Sequence, residues 1–163
     1  MAVDFFMNMG DKIKGETQDK AQSKNNDIDV IAWSWGMSQS GTTHAGSGGG
    51  AGKVNVQDMS FTKYIDSASP ALELACANGT HIPKCVLLCR KAGGTQQKYL
   101  EVTMEEVMVT SVSMGGSGGQ DRLTENITLN FAKFTTEYFK QDKDGNTKSA
   151  GQAKYDVAAN TAE

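Results

Sequence analysis

Alternating apolar and polar positions run through most of the chain and predict strands. "FFMNM" (5–9) opens the pattern, and "DIDVIAWSWGMS" (27–38) reads as one long β run. There Ile28, Val30, Ala32, Ser34 and Gly36 share one face, and Ile31, Trp33, Trp35 and Met37 the other; successive residues of a strand point to opposite sides. Both faces are apolar at first. Toward the end one face shrinks to Ser34 and Gly36 while its reverse carries two indoles, which predicts core on one side and a small, polar surface on the other. "KVNVQDMSF" (53–61), "HIPKCVLLCRK" (81–91), "KYLEVTMEEVMVTSVSM" (98–114) and "DRLTENITLNFAKFTTEYF" (121–139) read as further strands, with turns at Gly93-Gly94 and Gly115–Gly119. In the last strand Leu123, Ile127, Leu129 and Phe131 face one way, and Thr124, Asn126, Thr128 and Asn130 the other. That polar side is uncharged, an unusual choice for a surface meeting only bulk water.

Period 3.6 fits one segment, within "FTKYIDSASPALELACANG" (61–79). Pro70 suits a first helical position with Ser69 capping, and Asn78-Gly79 is a stop signal. Leu72, Ala75 and Cys76 form its apolar stripe, and Pro70 makes Thr62–Ser67 a separate turn or a kinked extension. The tail, residues 140–163, is polar and turn-rich and offers at most an edge strand over Lys154–Val157. The pattern contains no repeat and no second domain, and 163 residues suit one domain.

Charge and cysteines narrow the classes. A net charge of −3 argues against a nucleic-acid partner, which calls for a basic face. The longest uncharged run, Val30–Gly52, is too rich in Ser, Thr and Gly to enter a bilayer. "MAVDFFMNMGDKIKGE" has no basic start, apolar core or cleavage site, so the expected start is the cytoplasm and the expected exit a route that reads no signal peptide. Cys76, Cys85 and Cys89 are an odd number. On a strand Cys85 and Cys89 stand ~13 Å apart, beyond disulfide reach. Free, mostly buried thiols are expected.

Three motifs suggest chemistry, and each lacks its context. "HAGSGGGAGKV" (44–54) resembles a phosphate loop, but Ser47 stands where the first glycine belongs, Val54 follows the lysine, and the next segment alternates as a strand. "GGSGG" (115–119) satisfies the nucleophile-elbow spacing around Ser117, yet both histidines, His44 and His81, precede it and a strand follows. Cys76, His81, Cys85 and Cys89 invite zinc, but no C-x2-C pair occurs and "VLL" favours a packed strand. No catalytic residue, cofactor or metal is assigned. Adjacent Glu105 and Glu106 break the apolar alternation, as a bulge or a contact to a neighbouring chain would explain.

"IAWSWGMSQSG" (31–41), "GGGAGKVNVQDMSFTKYIDSASP" (48–70) and "RKAGG…YLEVTMEEVMVTSVSMGGSGGQDRLTENITLNF" (90–131) resemble haemolysin-coregulated protein, Hcp, the inner-tube subunit of bacterial type VI secretion systems. The resemblance spans about residues 1–139 and stops at the tail, where "KYDVAANTAE" replaces the family's tryptophan-containing strand. It implies a mainly β fold of two sheets closing into a compact barrel, with one α-helix on its side. Six copies would form a ring, and stacked rings a tube exported by a contracting sheath with a spike protein at its tip. Effector toxins would ride in the lumen. Membrane insertion and enzymatic activity are not implied.

Under that resemblance Ser34 and Ser117 fall at cargo-binding, lumen-facing positions. The glycine-rich segment 41–53 becomes a ring-stacking loop, comprising Gly41, Thr42, Thr43, His44, Gly46, Ser47, Gly48, Gly49, Gly50, Gly52 and Lys53. Glycine lets backbone approach backbone, at an entropic cost that assembly can offset. Two rival readings remain: a ring-shaped effector receptor that never polymerises, and a hydrolase with Ser117 as nucleophile.

Overall fold

The structure, a computed structural model, describes residues 3–44, 50, 52–91 and 96–163. Twelve strands and one helix of more than a turn are present among them. β1 (Val3–Asn8) is followed by β2 (Ile28–Val30), β3 (Ala32–Ser34), β4 (Met37–Ser38), β5 (Asn55–Val56) and β6 (Met59–Tyr64). Helix α1 (Ser69–Asn78) precedes β7 (His81–Lys91), β8 (Lys98–Gly115), β9 (Thr124–Asn130), β10 (Lys133–Gln141), β11 (Thr147–Asp156) and β12 (Thr161–Ala162).

All pairings are antiparallel, and apart from the separate β4–β5 ribbon they fall into two layers. One runs β12-β11-β10-β8-β7-β1-β2; the other runs β3-β6-β9 and ends on the second half of β8. Two strands belong to both layers. β8 pairs with β10 over Leu100–Glu105 and with β9 over Met108–Gly115. Residues 28–34 pair with β1 through Ile28–Val30 and with β6 through Ala32–Ser34. Pairing therefore runs from β8 through β7 and β1 to residues 28–34, and from those residues through β6 and β9 to the second half of β8, so the two layers share both strands.

β8 changes sides at Glu106, whose φ of 55° lies in the left-handed region that few non-glycine residues adopt, while its register with β7 runs on unshifted there. Met104 and Val107 are both buried, so two residues stand where alternation allows one. Here the interruption foreseen at Glu105–Glu106 finds its cause. The other crossover corrects the long strand read over 27–38. Val30 is buried, Ile31 and Ala32 are both exposed, and Trp33 turns inward again. Ile28 and Val30 therefore do not share a face with Ser34; the backbone changes sides at Ile31, whose N–H donates to the Thr62 carbonyl at 2.8 Å.

Other boundaries move for similar reasons. Residues 121–139 are two strands, since Phe131 and Phe134 are both buried across a break at Ala132. Phe61–Tyr64 is strand, not helix, and α1 starts at Ser69 with Ala68 as its N-cap; Gly79 closes it in the left-handed conformation. Ser69 is no cap because its hydroxyl serves a buried network. The tail is more ordered than its composition suggests: β11 spans ten residues and pairs with β10 from Gln141 to Lys133.

The core draws on both layers and α1, with Met7, Ile28, Met59, Leu72, Leu87, Met104 and Ile127 fully enclosed. Cys85 and Cys89 are buried and free; burial pushes both thiols up to about 12, so neither is a thiolate at neutral pH. Ion pairs tie down the rest. Arg90, 3% exposed, donates to both carboxylate oxygens of Asp19 (2.5 and 3.2 Å), lies 3.5 Å from Asp4 and stacks over Phe6. This clasps the segment between β1 and β2 onto the sheet. That segment passes so close to β2 that a Cβ on Gly15 would stand 2.3 Å from the Asp27 carbonyl oxygen, a space only glycine fits.

Beneath the start of α1, Lys63 is completely enclosed with Glu125, its cross-strand neighbour. Lys63 forms an ion pair with Glu125 and another with Asp66 at 2.8 Å. Ser69 donates to Glu125 at 2.6 Å and accepts from the Asp66 backbone N–H at 3.0 Å. Glu125 thus occupies the inward position next to Ile127, while Leu123, expected inside, is 48% exposed.

Candidate functional site

The outward surface of β3, β6, β9 and the second half of β8 is the structure's distinctive feature. Inward, Trp33, Phe61, Ile127 and Val112 form a row across the four strands. The indoles anchor it: Trp33 packs edge-on to Phe5, and Trp35 meets Phe134 at 4.9 Å and donates its Nε1–H to the Gln57 carbonyl at 2.9 Å. Outward, the registers place Ser34, Ser60, Thr128 and Ser111 in one row, and Ala32, Thr62, Asn126 and Ser113 in the next. Tyr64, Thr124 and Gly115 follow. No residue in these three rows is charged.

The hydroxyls bond one another. Thr62 donates to Asn126 at 2.6 Å, and the Thr128 hydroxyl lies 2.7 Å from those of both Thr110 and Ser111. Both hydroxyls can reach Thr128 because the pairing slips between Val109 and Ser111. Thr62, Thr110, Ser111, Asn126 and Thr128 thus spend hydrogen-bonding capacity on one another, and the small side chains of these rows give a level surface.

Ser34 is exposed on β3, opposite the indoles as expected. Ser117 is exposed too, on the turn after β8, where its N–H donates to Gln120 Oε1 at 3.3 Å. One chain does not bring the two together: β3 and β8 are opposite margins of this surface, roughly 14 Å apart at ~4.8 Å per strand spacing. Pattern reading found Thr124, Asn126, Thr128 and Asn130, but missed Ser60, Thr62, Ser111 and Ser113. The alternation around Phe61 and Val112 was the available signal.

The glycine-rich loop is anchored by a short ribbon. β4 pairs with β5, and the Thr42 hydroxyl donates to the Gly50 carbonyl at 2.9 Å. Gly41, Thr43, His44, Gly52 and Lys53 lie along its arms, and a Cβ on Gly52 would stand 2.4 Å from Ser40 Oγ. Gly46, Ser47, Gly48 and Gly49 lie outside the described residues. The ribbon leads into strand, so no helix N-terminus meets a phosphate there.

The other chemical readings lose their geometry. His81 pairs with Met108, seven residues up β8 from Gly115, about 23 Å in a strand, so it cannot serve Ser117 as a base. Among the described residues no group of three or more His, Cys, Asp or Glu is placed to hold a metal ion. No described helix is long and apolar enough to cross a membrane.

The four-stranded surface ends on two strand edges, β3 and the second half of β8, that have no strand partner among the described residues. The family model described as type VI secretion system effector, Hcp, matches residues 6–138. Protein hcp1 of Pseudomonas aeruginosa is 59% identical over 156 residues, covering 95% of this chain and 94% of its own. Among solved structures, one titled as a type six secretion system protein superposes with a TM-score of 0.91 at 27% identity, covering 99% of this chain and all of the other. Hcp1 from Salmonella typhimurium superposes at 0.78 with 34% identity over the full length of both. The chain belongs to the Hcp family. It is a type VI secretion inner-tube and effector-carrier protein, not an enzyme, of a family that assembles as hexameric tubes and is secreted by that system.

Proposed function

We propose that the outward surface of β3, β6, β9 and β8 lines the passage of a hexameric ring, and that Ser34 and Ser117 contact effector cargo there. Residues 1–163 act as a single tube domain, loaded in the cytoplasm and fired with a spike protein at the tip by a contracting sheath. The three rows of small, neutral side chains across the four strands carry the reading, since a conduit needs a level wall with few groups that trap a passenger. Strand directions support it. β3 runs opposite to β8, so a neighbour's β3 laid against the free half of β8 continues the antiparallel alternation and draws the two serines of adjacent copies toward each other.

Ser34→Gln tests the wall. The longer side chain projects into the passage, away from the indoles, so effector co-purification is expected to fall roughly tenfold or more while native mass still reports a hexamer. Undiminished retention in an intact ring would remove Ser34 from the cargo surface.

Stacking is assigned to the ribbon, Gly41–His44 with Gly50, Gly52 and Lys53, together with the intervening Gly46–Gly49. Amide hydrogen exchange over 41–53 is expected to slow about tenfold or more when rings polymerise. Equal exchange in free and stacked rings would place the contact elsewhere, and rings that never stack at any concentration would favour the receptor reading.

A further inference from the structure

We propose that Asp58 sets the charge preference of the passage, favouring cargo segments that carry lysine or arginine. This rests on the reading of the four-stranded surface as the passage wall and adds what that wall discriminates.

Asp58 directly precedes β6, and alternation with buried Met59 turns it to the same side as Ser60. Its partners fix it there: Oδ2 accepts from the Thr110 hydroxyl at 2.8 Å, and Oδ1 from Asn130 Nδ2 at 2.9 Å. Both donors are neutral, and Asp58 forms no ion pair among the described residues, so its charge is held in place but not cancelled. Each oxygen keeps acceptor capacity for a second donor. Every other outward side chain on the four strands is uncharged. At the opposite end of the wall Arg122 stacks over Tyr64 at 3.9 Å and lines clefts together with Asp29, Asp66 and Asp121.

Six-fold repetition sets six such carboxylates at one level around a common opening. Rings of fixed like charge select counter-charged passengers, and a narrow passage concentrates their field. A cationic segment is therefore drawn to this level and an acidic one held off, while the rest of the wall stays indifferent.

The test uses assembled hexamer and two fluorescent peptides of equal length, one Gly-Ser-Lys repeats and one Gly-Ser-Glu repeats, with binding read by anisotropy at low ionic strength. Wild type is expected to prefer the lysine peptide roughly tenfold, a preference that fades as salt screens the ring. Asp58→Asn is expected to make the two equal, while Glu73→Gln, which removes the same charge from the exposed side of α1, leaves the preference intact. A preference that survives Asp58→Asn, or falls equally with Glu73→Gln, overturns the assignment. Ser34→Gln separates the two layers of inference. If it weakens both peptides while Asp58→Asn changes nothing, the passage stands and Asp58 is not its selector. If it weakens neither while Asp58→Asn abolishes the preference, the peptides bind outside the passage and both readings fail.

Discussion

Lys63→Met is expected to destabilise the protein by about 3–5 kcal/mol, the usual cost of removing one partner from an enclosed ion pair. Met has similar length and fills the same volume, so little of the loss comes from packing. The damage lies in what remains. Glu125 is fully enclosed and keeps only the Ser69 hydroxyl, with its Oε2 already without a donor, and Asp66 is 7% exposed beside it. Against the 5–15 kcal/mol typical of a whole domain this is severe. Thermal unfolding should show a midpoint roughly 10 °C lower, at a few degrees per kcal/mol for a chain of this size. Lys63→Met/Glu125→Gln should recover most of the loss, because a neutral amide accepts from Ser69 at far smaller cost. A double variant no more stable than Lys63→Met would show that shape, rather than charge, decides the site.

Arg90→Ala is expected to cost about 3 kcal/mol, combining the loss of charge-assisted hydrogen bonds with the loss of packing on Phe6. Arg90→Lys should recover little, since an ammonium cannot engage both oxygens of Asp19 as the fork does. Acid titration carries a sharper signature. The Arg90 guanidinium holds Asp19 at about 2, below its ordinary 3.8. A carboxylate whose folded value is depressed contributes stability above the ordinary value and loses it as pH falls through the folded one. Wild-type stability should therefore drop between about pH 4 and pH 2, and Arg90→Ala should flatten that segment of the curve. Parallel wild-type and variant curves across the window would assign the acid sensitivity to other groups.

How far the sequence could be read varies with what each segment must satisfy. β7 matches its reading residue for residue and β8 extends it by one, because Cys85, Leu87 and Cys89 alternate opposite Met104, Val102 and Leu100 through the middle of both strands. The break at Ile31 left no trace: no Gly or Pro marks it, and apolar residues continue on both sides, so only the change of partner from β1 to β6 reveals it. β11 was hidden for the opposite reason. Its Ser149, Ala150, Gly151 and Ala153 bury almost nothing, and backbone pairing to β10 holds it. Leu123 drew the eye inward because it is apolar and in step with Ile127 and Leu129, yet it precedes β9, and the first inward position within the strand is Glu125. Parity with Met59 and Phe61 likewise points to Lys63, and opposite charges at inward positions of two strands were the cue to a buried pair. Half of the polar wall was legible for a related reason: β9 alternates cleanly, whereas Ser60 and Ser111 lie in stretches whose boundary or register shifts.

The two strands shared by both layers have a mechanical consequence. In a plain sandwich only side-chain contacts resist shear between the two layers. Here the main chain itself crosses between the layers within residues 28–34 and again at Glu106. Sliding one layer past the other would mean stretching covalent bonds or unzipping whole ladders, so a load placed on one layer is shared by the other.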